Sequence, residues 1–293
     1  MPTRQVRTAT ARAALFQGAA RAVALAGLLC AVAFADVDPE TPATPFPPEV
    51  ILERGDKQIR AVKYGPDDAG VVVNCAPADD SPDRLTRVVY YDVPPYLVHV
   101  FIDKNVIRAP VVFARKKDGG DGELEAYNGT ATARDESDAE CLPIIKPDLK
   151  PASVFVDQGK TKLTGSRLDY TEETGIAVIQ GPIVFERPQD KGEVLRGNSD
   201  KITVDVDNEK TFLEGKVTLR SKCRTSSADR VEYDDRANRA ILFGKPAVSS
   251  SLDGKDTIKG EQLEYDLDTN DVVVTAANDG ITGQFEDDAP PCR

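Results

Sequence analysis

Tryptophan is absent from the 293 residues, histidine and methionine occur once each, and aromatic side chains make up only 6% of the chain. Each shortage removes a class of function. With His99 the only imidazole, the serines of Ser226-Ser227 and Ser249-Ser250-Ser251 have no plausible general base. His99 itself stands in Tyr96-Leu97-Val98-His99-Val100-Phe101 with no second ligand type at metal spacing, so it reads as a strand residue, and no metal or cofactor is expected. The lack of tryptophan counts against a carbohydrate-active β-helix enzyme, which would stack sugars on aromatic platforms. Basic charge is scarce as well: 37 lysines and arginines face 49 acids, a formal net charge of −12. Nucleic acid is therefore not an expected partner, because binding it relies on neutralising phosphates. From Val50 onward, windows with helical periodicity are also scarce.

What is present begins with an export leader. Arg4, Arg7, Arg12 and Arg21 form its positive end, Ala22 to Phe34 is an apolar run shorter than the ~20 residues of a spanning helix, and Ala33-Phe34-Ala35 is a small-x-small cleavage site. Cys30 follows Leu29, a bulky residue that argues against lipidation. Cleavage after residue 35 leaves a chain of formal charge −16, which mainly favours solubility. It also leaves Cys75, Cys141, Cys223 and Cys292, an even number that predicts two disulfides in an oxidising compartment. Spacing does not choose among the three pairings. Cys75–Cys141 with Cys223–Cys292 is preferred because each bond ties two elements of the same half of the chain.

Residues 36–48 carry Pro39, Pro42, Pro45, Pro47 and Pro48 and read as an extended linker. Beyond them the chain reads as all-β, with short runs such as Gln58 to Tyr64, Gly70 to Val73 and Arg87 to Tyr91 between turn-forming clusters. Pro143, Pro147 and Pro151 mark a joint between an N-terminal β region, 49–142, and a repeat domain, 152–288. The paired acids Asp205 and Asp207, Asp234 and Asp235, and Asp266 and Asp268 could suggest glycosidase carboxylates or calcium ligands, but they fall in or beside turns, where aspartate is favoured anyway. Asn128-Gly129-Thr130 fits a glycosylation sequon, yet Asn-Gly is first of all a turn.

The repeat carries most of the information. Ser166-Arg167-Leu168-Asp169-Tyr170, Asp200-Lys201-Ile202-Thr203-Val204, Asp229-Arg230-Val231-Glu232-Tyr233 and Glu261-Gln262-Leu263-Glu264-Tyr265 share an apolar-polar-apolar triplet. Thirteen residues after the first apolar position stand Gly181, Gly215 and Gly244, with Ala276 in the fourth copy. Strand alternation gives each copy one apolar and one wet face, and stacking such units makes a sheet that must fold over to hide the apolar face. The glycines suit the bends. Ile59 to Tyr64, and Ile107 to Phe113 followed by Asn128 to Thr132, are two candidate degenerate copies in the first half.

Gly165-(x)2-Leu168-x-Tyr170, Leu213 to Leu219, Ala228 to Asp234 and Gly260 to Asp266 resemble the OstA-type repeats of the LptA family of periplasmic lipopolysaccharide-transport proteins, over about residues 158–286. The resemblance implies a β-jelly roll, a slot-like pair of sheets whose apolar interior holds acyl chains. The chain looks long for one module, which suggests a double-length form, and no stretch reads as a transmembrane barrel. By the same resemblance it would be a non-enzymatic periplasmic protein that binds lipopolysaccharide or a related glycolipid and passes it toward the outer membrane as a bridge component. Its partners would be inner- and outer-membrane transport components and, through end strands, further copies of itself. Leu168, Tyr170, Ile202, Val204, Val231, Tyr233, Leu263 and Tyr265 are the expected lipid-facing group. Periodicity alone favours their filling a closed core, as in a structural β-solenoid scaffold without ligand.

Overall fold

A computed structural model describes residues 49–284 except position 67 and positions 76–84, 103–104, 118–119, 134–142, 190–192, 209, 235–236, 270 and 277–281. The expected leader and linker, Cys141, Cys292 and Asp235 lie outside the described residues. In chain order the strands are β1 (Glu49–Arg54), β2 (Lys57–Val62), β3 (Val71–Cys75), β4 (Leu85–Tyr91), β5 (Val98–Ile102), β6 (Asn105–Ala109), β7 (Val111–Lys117), β8 (Gly122–Tyr127), β9 (Gly129–Thr132) and β10 (Ile144–Pro147). They continue with β11 (Val154–Gln158), β12 (Thr161–Gly165), β13 (Arg167–Thr171), β14 (Ile176–Pro188), β15 (Val194–Asp205), β16 (Lys210–Arg220), β17 (Arg224–Asp234), β18 (Arg239–Ser251), β19 (Thr257–Asp266), β20 (Val272–Ala276) and β21 (Thr282–Gln284). No described residue is helical.

These strands form one 19-stranded antiparallel sheet and a separate β9–β10 pair. Pairing divides the large sheet into two halves. The first half-sheet runs β3, β4, β7, β8, β13 and then residues 176–180 of β14. The second runs β1, β2, β5, β6, β11, β12 and then residues 184–186 of β14. Strand β14 therefore belongs to both, and so do β15 to β19. Each ladder among them breaks register at the same level: Gln180/Ile183, Asn198/Lys201, Glu214/Val217, Ser227/Arg230 and Phe243/Ala247. Strand β20 ends the first half-sheet and β21 the second.

The break is a bend, and the glycines that recur in the sequence sit at it. A Cβ on Gly181 would meet the Asp200 carbonyl oxygen at 2.4 Å. Gly215 has φ +77°, a conformation L side chains disfavour. What reads in sequence as two strands on either side of Gly181 is thus a single 13-residue strand folded at its middle.

The N-terminal region builds the same cross-section differently. Its hairpins alternate between halves, β1–β2 in the second, β3–β4 in the first, β5–β6 in the second and β7–β8 in the first. Loops or prolines, Pro94-Pro95 and Pro110 among them, replace the glycine bends. The regions on either side of 143–151 are joined by the β6–β11 and β8–β13 ladders, and one hydrophobic core runs through both. Strand β9 departs from this winding. It pairs with β10 and lies against β4 and β7, where Val89 and Val111 are fully buried outside the main core.

Candidate functional site

The four copies occupy every second strand of the first half-sheet, β13, β15, β17 and β19. Ladder register aligns their apolar positions into two rows. Leu168, Ile202, Val231 and Leu263 are joined through Ile179, Leu213 and Leu242, while Tyr170, Val204, Tyr233 and Tyr265 are joined through Ala177, Thr211 and Ala240. Both rows continue into the N-terminal region, the first through Ala126, Val112 and Tyr90 to Val72, the second through Leu124, Ala114 and Val88 to Asn74. One apolar lining therefore runs in register from β20 to β3.

All eight residues of the expected group are buried, none more than 9% exposed. Side chains of the second half-sheet meet them face to face. The Thr161 and Tyr233 hydroxyls lie 2.8 Å apart, and Gln158 Nε2 donates to Thr211 Oγ1 at 3.2 Å. Between Leu163 and Phe185 on one wall and Ile202, Leu213 and Tyr233 on the other remains a cavity of about 10 Å³. That is room for about one water molecule and none for an acyl chain.

Burial pushes the Tyr170 hydroxyl up to about 12 and also raises that of Tyr265. Tyr170 therefore stays protonated at neutral pH, and among the described residues its hydroxyl has no hydrogen-bond partner. An unpaired buried hydroxyl costs about 1–3 kcal/mol.

The interior widens at the N-terminal end. A pocket of about 400 Å³ is walled by Ile51, Leu52 and Glu53 of β1 and, opposite, by Asn74, Thr86, Val88, Ala114 and Lys116 of β3, β4 and β7. This volume lies within the ~300–1,000 Å³ range of small-molecule sites. A bulge between Val50 and Leu52 turns the adjacent Ile51 and Leu52 both into the fold, where they are 8% and 0% exposed. Val72, at the end of the lining, is 49% exposed because no described strand lies beyond β3. Nothing in the sequence pattern marks these residues, since the pocket lies where the described strands end.

Polar contacts join the two half-sheets along the side opposite the bends. Arg54 Nη2 bonds Asp207 Oδ2 at 2.6 Å, and this contact holds the Asp207 carboxyl below its ordinary range. Glu172, 2% exposed, accepts the Glu53 amide at 2.8 Å and the Gly122 amide at 2.6 Å. At the other end Arg187, 1% exposed, donates to Asn238 Oδ1 at 2.6 Å and approaches Asp268 at 3.7 Å, while Gln189 donates to the Leu267 carbonyl.

The paired acids divide by role. Asp205, Asp234 and Asp266 accept backbone amides of their own turns, whereas Asp207 is bound to Arg54. His99 is a half-buried strand residue whose ring packs against that of Tyr64, centroids 4.2 Å apart and planes tilted by 46°, its pKa lowered by burial. Cys75 and Cys223 are disulfide-bonded.

Residues 151–271 match the family model described as LptA/(LptD N-terminal domain) LPS transport protein. No curated protein matches the chain. Among solved structures, similarity is found to LptH, the LptA homologous periplasmic component of the conserved lipopolysaccharide transport device from Pseudomonas aeruginosa. The identity is 17% and the TM-score 0.35, over 43% of this chain and 94% of that one. What the comparisons show is thus a likeness of residues 151–271, within the repeat region, to the LptA/OstA-type family.

Proposed function

We propose that the chain is a non-enzymatic, periplasmic lipid carrier that takes acyl chains of lipopolysaccharide or a related envelope glycolipid into the roll and relays them toward the outer membrane as a bridge component. One observation carries this reading: among the described residues the apolar lining continues in register from β20 to β3 and ends in the 400 Å³ pocket rather than in a sealed wall. The family likeness of residues 151–271 supports the choice of cargo. The Leu168 to Tyr265 rows would line the passage once the halves part, and the pocket is where a chain first fits. The end strands support relay. Among the described residues β1 pairs only with β2 and β3 only with β4, and at the other end β20 and β21 pair only with β19, so each end offers strand edges to a further copy or to membrane components. The disulfides belong to the same periplasmic reading, with Cys75–Cys141 and Cys223–Cys292 as the pairing.

A second reading, a scaffold without ligand, is favoured by the closed interior around Leu213 and Tyr233, with its cavity of about 10 Å³. Mass spectrometry of intact protein purified from the envelope separates the two. The carrier retains extractable acyl-chain lipid of defined mass; protein recovered free of lipid under the same mild conditions makes it a scaffold.

A further inference from the structure

Resting on the carrier reading, we propose that the tip of the β1–β2 hairpin is a polar latch on the open side of the roll, and that its release admits an acyl chain sideways into the mouth. The hairpin is paired out to Arg54 and Lys57, whereas the ladder from β2 to β5 ends at Ile59 and Ile102. Among the described residues nothing pairs with the hairpin on its β5 side beyond Ile59, and side chains of residues 53–58 reach across to the first half-sheet. There they are gripped by polar groups. Arg54 Nε and Nη2 bond the Asp207 carboxylate, Nη1 bonds the Glu173 carbonyl at 3.0 Å and the Glu172 carbonyl, and Lys57 Nζ donates to the Val206 carbonyl at 2.9 Å.

Glu172 is the rivet of this contact. One of its oxygens accepts the amide of Glu53 in the hairpin and the other the amide of Gly122 in β8, so a single buried carboxylate spans the two half-sheets. Gly122 lets the hairpin come this close, because a Cβ there would lie 2.2 Å from Leu52 Cδ2.

Three features mark the contact as a latch rather than as core. Its outer half, the Arg54–Asp207 pair, faces solvent at 23% and 44% exposure, where water can replace either partner. The segment it holds, Ile51 to Glu53, is the β1 wall of the pocket, so displacing the tip moves that wall. Under it lies Tyr170, close enough to Arg54 to feel its charge, with a buried hydroxyl that no described group satisfies. Once the tip lifts, that hydroxyl can donate to an ester or headgroup oxygen at the end of an incoming chain.

The test uses the full exported chain with its disulfides intact. Arg54→Ala removes the exposed half of the latch at a hairpin tip where folding is least at risk, and Glu172→Gln weakens the rivet. Amide hydrogen exchange is followed at Glu53 and Gly122, with Leu242 and Leu263 as references. Uptake is followed from phosphatidylethanolamine and phosphatidylglycerol vesicles carrying a pyrene-labelled phosphatidylglycerol. Arg54→Ala is expected to speed exchange at Glu53 and Gly122 about tenfold or more without changing the references, and to speed uptake severalfold with the same final occupancy. Exchange at the wild-type rate refutes the latch. Faster exchange with unchanged uptake shows a loose hairpin that gates nothing, and overturns the proposal as well. If neither protein takes up the probe, the carrier reading and the gating role both fall, while the exchange rates still decide whether the hairpin is released.

Discussion

Replacing Leu263 by alanine asks whether the interior is a filled core in solution. Leu263 is 0% exposed and lies in register between Leu242 and Val274. Ladders on both sides hold its neighbours in register, so they cannot fully collapse into the space a truncation leaves. Truncation therefore loses the transfer energy of the deleted carbons and leaves a void, together about 3 kcal/mol. Val88 is the internal control. It is 7% exposed and borders the 400 Å³ pocket, so part of its surround is already empty, and Val88→Ala is expected to cost about 1 kcal/mol. The assay is guanidinium denaturation of the two variants and the parent, with disulfides intact and lipid extracted beforehand. A loss near 1 kcal/mol at both positions would falsify the closed interior, because Leu263 would then line an open slot. Restoring lipid adds a second reading. A ligand at a hundred times its Kd stabilises the folded state by about 2.7 kcal/mol, and that increment should shrink in Val88→Ala more than in Leu263→Ala if loading starts at the mouth.

Aspartate at Leu168 or Leu263 places an unpaired charge on the apolar lining; bound lipid per protein, measured by mass spectrometry of the folded fraction, is expected to fall severalfold, and undiminished lipid would remove these rows from the binding surface. Gly181→Ala sets a Cβ 2.4 Å from a backbone oxygen and should lower stability by about 1–3 kcal/mol; an unchanged thermal midpoint would mean that the bend does not require the close approach. The Asp207 carboxyl is depressed, first by the Arg54 hydrogen bond and then by the charges of Arg54 and Lys57. Because its folded pKa is the lower one, its contribution is complete above the ordinary value near 3.9 and is lost only as pH falls through the depressed value, below about pH 4. A carboxyl-carbon NMR titration should show this midpoint rising in Arg54→Ala, and an unmoved midpoint refutes the contact. Peptide mapping without reduction should recover Cys75 linked to Cys141 and Cys223 linked to Cys292; any other linkage contradicts the assignment.

The part of this architecture legible in the chain is the part set by local geometry. Alternation in Leu168-Asp169-Tyr170 and its three counterparts assigns inside and outside because successive side chains on a strand must point to opposite faces. Gly181, Gly215 and Gly244 mark bends because backbone there approaches too closely, or turns too sharply, for a side chain. The first half carries a weaker pattern because loops and prolines interrupt strands that glycine bends keep continuous in the second half. Whether the aligned rows enclose a slot or fill a core depends on the opposing wall. Residues such as Leu163 and Phe185 meet Ile202 and Leu213 only after the sheet has folded over. The mouth at Ile51, Leu52, Val88 and Ala114 has no local signature, since it lies where the described strands end. The same holds for the latch: Arg54 finds Asp207 across 153 positions, and Glu53 finds Glu172 across 119. Turn chemistry could explain each acid locally, and only the winding of the hairpins decided that Asp207 and Glu172 would face a neighbour from the other half-sheet.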